Sequence, residues 1–173
     1  PPVPEKVQKM LEKFIGTWSW AANGYDGYVV YKWNPEKFYV VGEIYTITWE
    51  HQVGIELWGW DGMSEDGIAF LSMAVNNHLS ARAKIVSDTV IEGEGSGVFG
   101  GEKVIGKNRL SFQGPDQITY VATGSTPEGE AKPDWKSVST RVKTTSDEQE
   151  LIKLEHELAA AMVKKDIAVM DRF

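Results

Sequence analysis

Apolar and polar positions follow two different periods along the chain. Over residues 5–14, Val7, Met10, Leu11 and Phe14 fall at i, i+3, i+4 and i+7, the spacing of one apolar helix face, with Pro4 just ahead. From Gly16 to about Lys143 the period drops to two. It predicts strands at 17–22, 28–33, 38–49, 53–60, 67–76, 81–86, 89–95, 98–105, 109–113, 117–123 and 135–143. Turn formers separate them: Asn23-Gly24, Asn34-Pro35, Asp61-Gly62, Asp66-Gly67, Lys107-Asn108 and Gly114-Pro115. Short strands at this spacing, with no helical pattern among them, predict a sandwich or an antiparallel barrel. Glycines inside strands (Gly42, Gly59, Gly93, Gly95, Gly97) supply the bends of a closing sheet, which favours the barrel. Residues 146–173 return to the helical period. Ser146 and Gln149 form a capping-box pair, Leu151, Leu154, Leu158 and Met162 make an apolar stripe, and Glu150, Lys153, Glu157 and Lys164 occupy much of the other side. The expected organisation is a barrel domain over 1–145 and a helical segment over 146–173. That segment must bury its stripe on the barrel or on a second copy, which makes a homodimer through it an expectation.

At 173 residues the chain is long enough for one ordinary domain, and its 42% hydrophobic and 25% charged content is that of a globular protein. A formal charge of −7, with signs interspersed, argues against a nucleic-acid or anionic-membrane partner. With no Cys, disulfides, thiol catalysis and thiolate metal sites are excluded, and cytoplasmic and exported locations stay equally open. No apolar run approaches the length of a membrane-spanning helix, and a start at Pro1 rather than Met fits a processed or trimmed chain.

The first strand opens Phe14-Ile15-Gly16-Thr17-Trp18, and the last predicted strand ends Ser139-Thr140-Arg141-Val142-Lys143. A Gly-x-Trp there with a late Arg resembles the signature of the calycin barrels, which include lipocalins and fatty-acid-binding proteins. The resemblance implies that Trp18 lies across the barrel floor with Arg141 packed on its face, an attraction of guanidinium for an indole ring. Together with Leu57-Trp58-Gly59-Trp60-Asp61-Gly62, the alternating aromatic strands look more like bacterial lipocalin-like barrels of unassigned function than like classical lipocalins. Residues 148–173 resemble the first two helices of NTF2-like (ketosteroid-isomerase type) domains; the strands that would complete such a domain are missing.

Aromatics crowd the first half of the barrel region: Trp18, Trp20, Tyr28, Trp33, Tyr39, Tyr45, Trp49, Trp58 and Trp60. They read either as a filled core or as a pocket for a small hydrophobic or aromatic molecule, with Trp20, Tyr28, Tyr45, Trp49, Trp58 and Trp60 as its contacts. Alternation does not decide which. Both faces of the third strand are apolar enough to be inside, Tyr39, Val41, Glu43 and Tyr45 on one and Val40, Gly42, Ile44 and Thr46 on the other. Glu43, Glu56 and His78 are polar residues inside strands. Glu43 and His78 are the candidates for an acid or base should the lumen host isomerase, cyclase or hydrolase chemistry. No nucleophile motif accompanies them. His51, His78 and His156 show no ligand spacing, so neither a metal nor another cofactor is expected. Gly93-Glu94-Gly95-Ser96-Gly97 lacks the setting of a phosphate loop and reads as a strand bend or hairpin. The leading expectation is non-catalytic ligand binding, with a lumen enzyme and an assembly module as alternatives.

Overall fold

The computed structural model describes residues 2–22, 24–46, 52–75 and 77–143. They form one helix, α1 (Glu5–Glu12), and ten strands: β1 (Gly16–Ala22), β2 (Tyr25–Trp33), β3 (Tyr39–Thr46), β4 (Gln52–Trp60), β5 (Gly67–Ala74), β6 (Asn77–Ser87), β7 (Val90–Phe99), β8 (Glu102–Phe112), β9 (Gln117–Ser125) and β10 (Ala131–Arg141). Every strand pairs antiparallel with its sequence neighbours, and β1 closes the ring on β10 with Trp18 opposite Arg141. The chain is therefore mainly β, a closed antiparallel barrel behind a short N-terminal helix, and closure leaves no sheet edge unpaired.

The helix fills one end of this barrel. Val7, Met10 and Leu11 face inward from α1, and Phe14 follows them. The largest fully buried side chains are Trp18, Phe14, Leu11, Ile68, Ile91, Val7 and Val40, and those on strands all sit near the ends next to α1. Arg141 locks the arrangement. Its guanidinium carbon lies 4.1 Å from the Trp18 ring centroid, and it donates to the carbonyls of Ile15 (2.5 Å), Lys13 (3.0 Å) and Pro115 (3.0 Å). A cation over the indole thus also satisfies carbonyls left free where α1 ends.

Several elements differ from the expectation. Segments 98–105 and 109–113 do not form two strands around a turn at Lys107-Asn108; β8 runs straight through. Lys107 reaches Glu94 at 3.6 Å and Asn108 lines the interior, so each polar residue satisfies the face it occupies. Gly93–Gly97 is the middle of β7, not a hairpin. Strand β5 ends at Ala74 and β6 begins at Asn77, so His78 pairs with Met73 just past the turn. The chain divides into units Pro1–Val142 and Lys143–Phe173. The expected C-terminal helix, its NTF2-like resemblance, the dimer seam and Trp49 lie outside the described residues.

Candidate functional site

The half of the barrel away from α1 is hollow. A cavity of about 710 Å³ opens there, walled by Trp20, Ile44, Leu79, Leu110, Ile118 and Tyr120 among others. Its floor is an aromatic layer in which Phe14 stacks on Trp58 at 5.0 Å, meets Tyr31 edge-on at 5.3 Å, and Trp58 packs on Phe70 at 4.2 Å. The volume is in the range of pockets for small organic molecules, roughly 300–1,000 Å³. A mostly apolar wall with few polar groups is the composition of such pockets too.

One carboxyl stands on this floor, and the register explains how it is held. Tyr31 on β2, Gly42 on β3 and Glu56 on β4 are successive cross-strand partners. A Cβ at Gly42 would lie 2.4 Å from the Tyr31 ring, so only glycine lets that ring lie across β3. The Tyr31 hydroxyl then donates to Glu56 Oε2 at 2.6 Å, and Trp58 Nε1 donates to the same oxygen at 3.2 Å. The residual exposure of Glu56 is to the lumen it lines. Burial pushes its carboxyl above the ordinary carboxylate range, while the two donors pull the other way. Tyr31 is pushed well above 10 by burial first and by the neighbouring carboxylate second. Tyr120, which lines the cavity from β9, is raised to about 12 by the same two causes. Both tyrosines therefore keep their protons at neutral pH.

A second row repeats the device. Trp20 on β1, Gly27 on β2 and Thr46 on β3 are cross-strand partners, and a Cβ at Gly27 would lie 2.9 Å from the Trp20 ring. Trp20 Nε1 and Thr46 Oγ1 are buried there without a hydrogen-bond partner among the described residues.

Of the residues singled out in the sequence, Trp20 and Trp58 line the cavity. Trp60 packs against the closed-end core, its indole donating to the Ser64 carbonyl at 2.7 Å. Tyr28 and Tyr45 stack on each other at 4.6 Å on the outer surface, away from the cavity lining. Glu43 is with them, 3.3 Å from Lys32 and accepting from the Tyr45 hydroxyl at 3.4 Å, so it does not reach the lumen. His78 stands at the rim, near the β5–β6 turn. Tyr31 and Tyr120 were not foreseen. The signal for Tyr31 was present: Lys32 shares parity with Tyr28, which marks that face of β2 as the solvated one and its alternate, Gly27, Val29 and Tyr31, as the inner one. Among the described residues no three His, Asp or Glu side chains gather as metal ligands do.

No protein-family model and no curated protein sequence matches the chain. Among solved structures, the crystal structure of Rv2717c from M. tuberculosis is similar with a TM-score of 0.57 at 14% identity, covering 82% of this chain and all of that one. The S-type phycobiliprotein lyase CPES from Guillardia theta is similar with a TM-score of 0.50 at 14% identity, covering 83% of this chain and 100% of the lyase. The fold is a calycin-like barrel. In this calycin-like barrel, Gly16 and Trp18 open the first strand and Arg141 ends the last.

Proposed function

We propose that this barrel binds a small hydrophobic or aromatic molecule in its lumen without transforming it. The observation that carries the reading is the cavity of about 710 Å³, apolar on its walls and aromatic on its floor. A filled barrel would have needed large side chains inward on the far halves of the strands. Those positions instead carry Ala74, Ala81, Gly95, Gly106, Ala122 and Gly124. Catalysis is the less favoured reading, because of the two acid–base candidates Glu43 is on the outer face and His78 is at the rim.

The test uses N-phenyl-1-naphthylamine, a neutral aromatic probe whose emission rises in apolar surroundings. Saturable one-to-one binding is expected, with energy transfer from the lumen tryptophans. Ala81→Trp, which puts an indole into the cavity from β6, should weaken binding by about tenfold or more, equivalent to roughly 1.4 kcal/mol. No saturable binding to the wild type, or undiminished binding to a folded Ala81→Trp, would overturn the reading.

A further inference from the structure

Of the two carboxylates lining the cavity, Glu102 is paired with Lys132, whereas Glu56 has only neutral partners among the described residues. Deep in the cavity stands Glu56; the basic residues along the cavity lining are Lys132, Lys107, whose side chain lies on the outer face, and His78 at the rim. Both lysines already have carboxylates: Lys107 lies 3.6 Å from Glu94, and Lys132 lies 2.7 Å from Glu102 and 3.4 Å from Glu130. Arg141 is committed to the floor, on Trp18 and three carbonyls. Nothing basic among the described residues acts on Glu56, whose partners are the neutral donors Tyr31 and Trp58.

Those two donors share one oxygen. Oε2 takes both hydrogen bonds, while Oε1 accepts none from the described residues and is not among the enclosed unpartnered atoms, so it faces the lumen. A carboxylate offers about four acceptor sites over its two oxygens, and here the protein fills one side only. Tyr120 adds a hydroxyl on the wall within electrostatic reach of Glu56, with no hydrogen bond of its own to a described residue. A charge taken out of water is costly unless something pairs with it, and the lumen is the direction from which a partner can come.

Resting on the reading of the lumen as a binding site, we propose that Glu56 is its anchor and that the ligand is an aromatic molecule carrying a positively charged or hydrogen-bond-donating nitrogen. The ring system lies on the Phe14–Trp58–Phe70 layer, and the nitrogen donates to Oε1. Fatty acids and other apolar carboxylates are disfavoured, because they would bring a second negative charge beside the first, where the described lining offers no unpaired lysine or arginine.

Three probes of one shape test this: 1-naphthylmethylammonium, 1-methylnaphthalene and 1-naphthoate, titrated calorimetrically at neutral pH. A charge-assisted hydrogen bond predicts that the ammonium probe binds at least about tenfold more tightly than 1-naphthoate. In Glu56→Gln, which keeps the shape and an acceptor for Tyr31, that ratio should collapse to within about threefold. Equal binding of ammonium and carboxylate, or an undiminished ratio in the variant, overturns the anchor and leaves the binding site standing. Failure of all three probes to bind overturns the binding site and the anchor together. The comparison among probes in the wild type decides the matter even if Glu56→Gln does not fold.

Discussion

Glu56 costs the fold stability, and the direction of its titration says how that cost is to be seen. Burial raises its folded-state pKa above the ordinary 4.5, so the folded protein holds this proton more tightly than the unfolded chain does. Its favourable contribution is complete below pH 4.5 and is lost as pH rises through the raised folded value. Glu56→Gln, which is neutral throughout, should therefore be more stable than the wild type at pH 7, and the two should converge below pH 4.5. Urea denaturation at pH 7 and pH 4 checks this; a variant less stable at pH 7 by as much as at pH 4 would show that Tyr31 and Trp58 hold the carboxylate for structure alone. At this scale the sequence was only partly readable. It marked Glu56 as a polar residue inside an aromatic-rich strand, but Glu43 looked the same. Only the pairing of Glu43 with Lys32, and the passage of the Tyr31 ring over Gly42, separates an outer carboxylate from an inner one. Those facts depend on which face of β3 is inside, and a strand apolar on both faces does not encode that locally.

Helix α1 is the element that makes half of the barrel solid. It puts Val7, Met10 and Leu11 into the closed end, and Lys6 ties it outward through a hydrogen bond to the Ile85 carbonyl at 3.2 Å. Truncating Leu11 removes a fully buried side chain from a site with little room to collapse. Leu11→Ala should cost about 2–5 kcal/mol of unfolding free energy. It should leave naphthalene-probe affinity unchanged, because Leu11 does not line the cavity. Denaturation and titration on one preparation read both; a large loss of affinity would mean that the plug and the lumen are mechanically one. The helix was fully legible, since a 3.6-residue period followed by Gly-x-Trp leaves little alternative. Strand β8 was not, because Lys107-Asn108 has turn chemistry. Its strand state comes from neighbours far along the chain: Gly106 lies between Gly95 and Gly124, and its Cβ would come within 2.1 Å of the Thr123 carbonyl oxygen. Tertiary pairing overrides local propensity there.

Taken whole, the barrel joins a packed end to a hollow one through continuous strands, so its two ends should differ in how they open. Amides near Trp18, Val40, Ile68 and Ile91 are surrounded by the α1 plug and should exchange with solvent only when the whole barrel unfolds. Amides at the far ends of three of these strands, near Thr46, Ala74 and Phe99, have the cavity on one side and should exchange by local opening. A ligand in the lumen adds contacts to the second group alone. Hydrogen exchange read by mass spectrometry, with and without saturating 1-naphthylmethylammonium, should therefore show protection gained at the hollow end as well as at the plug. At a hundredfold excess of ligand over Kd the global stability should rise by about 2.7 kcal/mol, so the plug amides should slow by a uniform factor reflecting that gain. Slowing confined to the plug, or equal protection at both ends of each strand in the unliganded protein, would contradict a molecule built as a rigid base beneath an open cup. The division of labour is physical: the end that holds Arg141 on Trp18 fixes the shape, and the end that holds Glu56 is left hollow among the described residues.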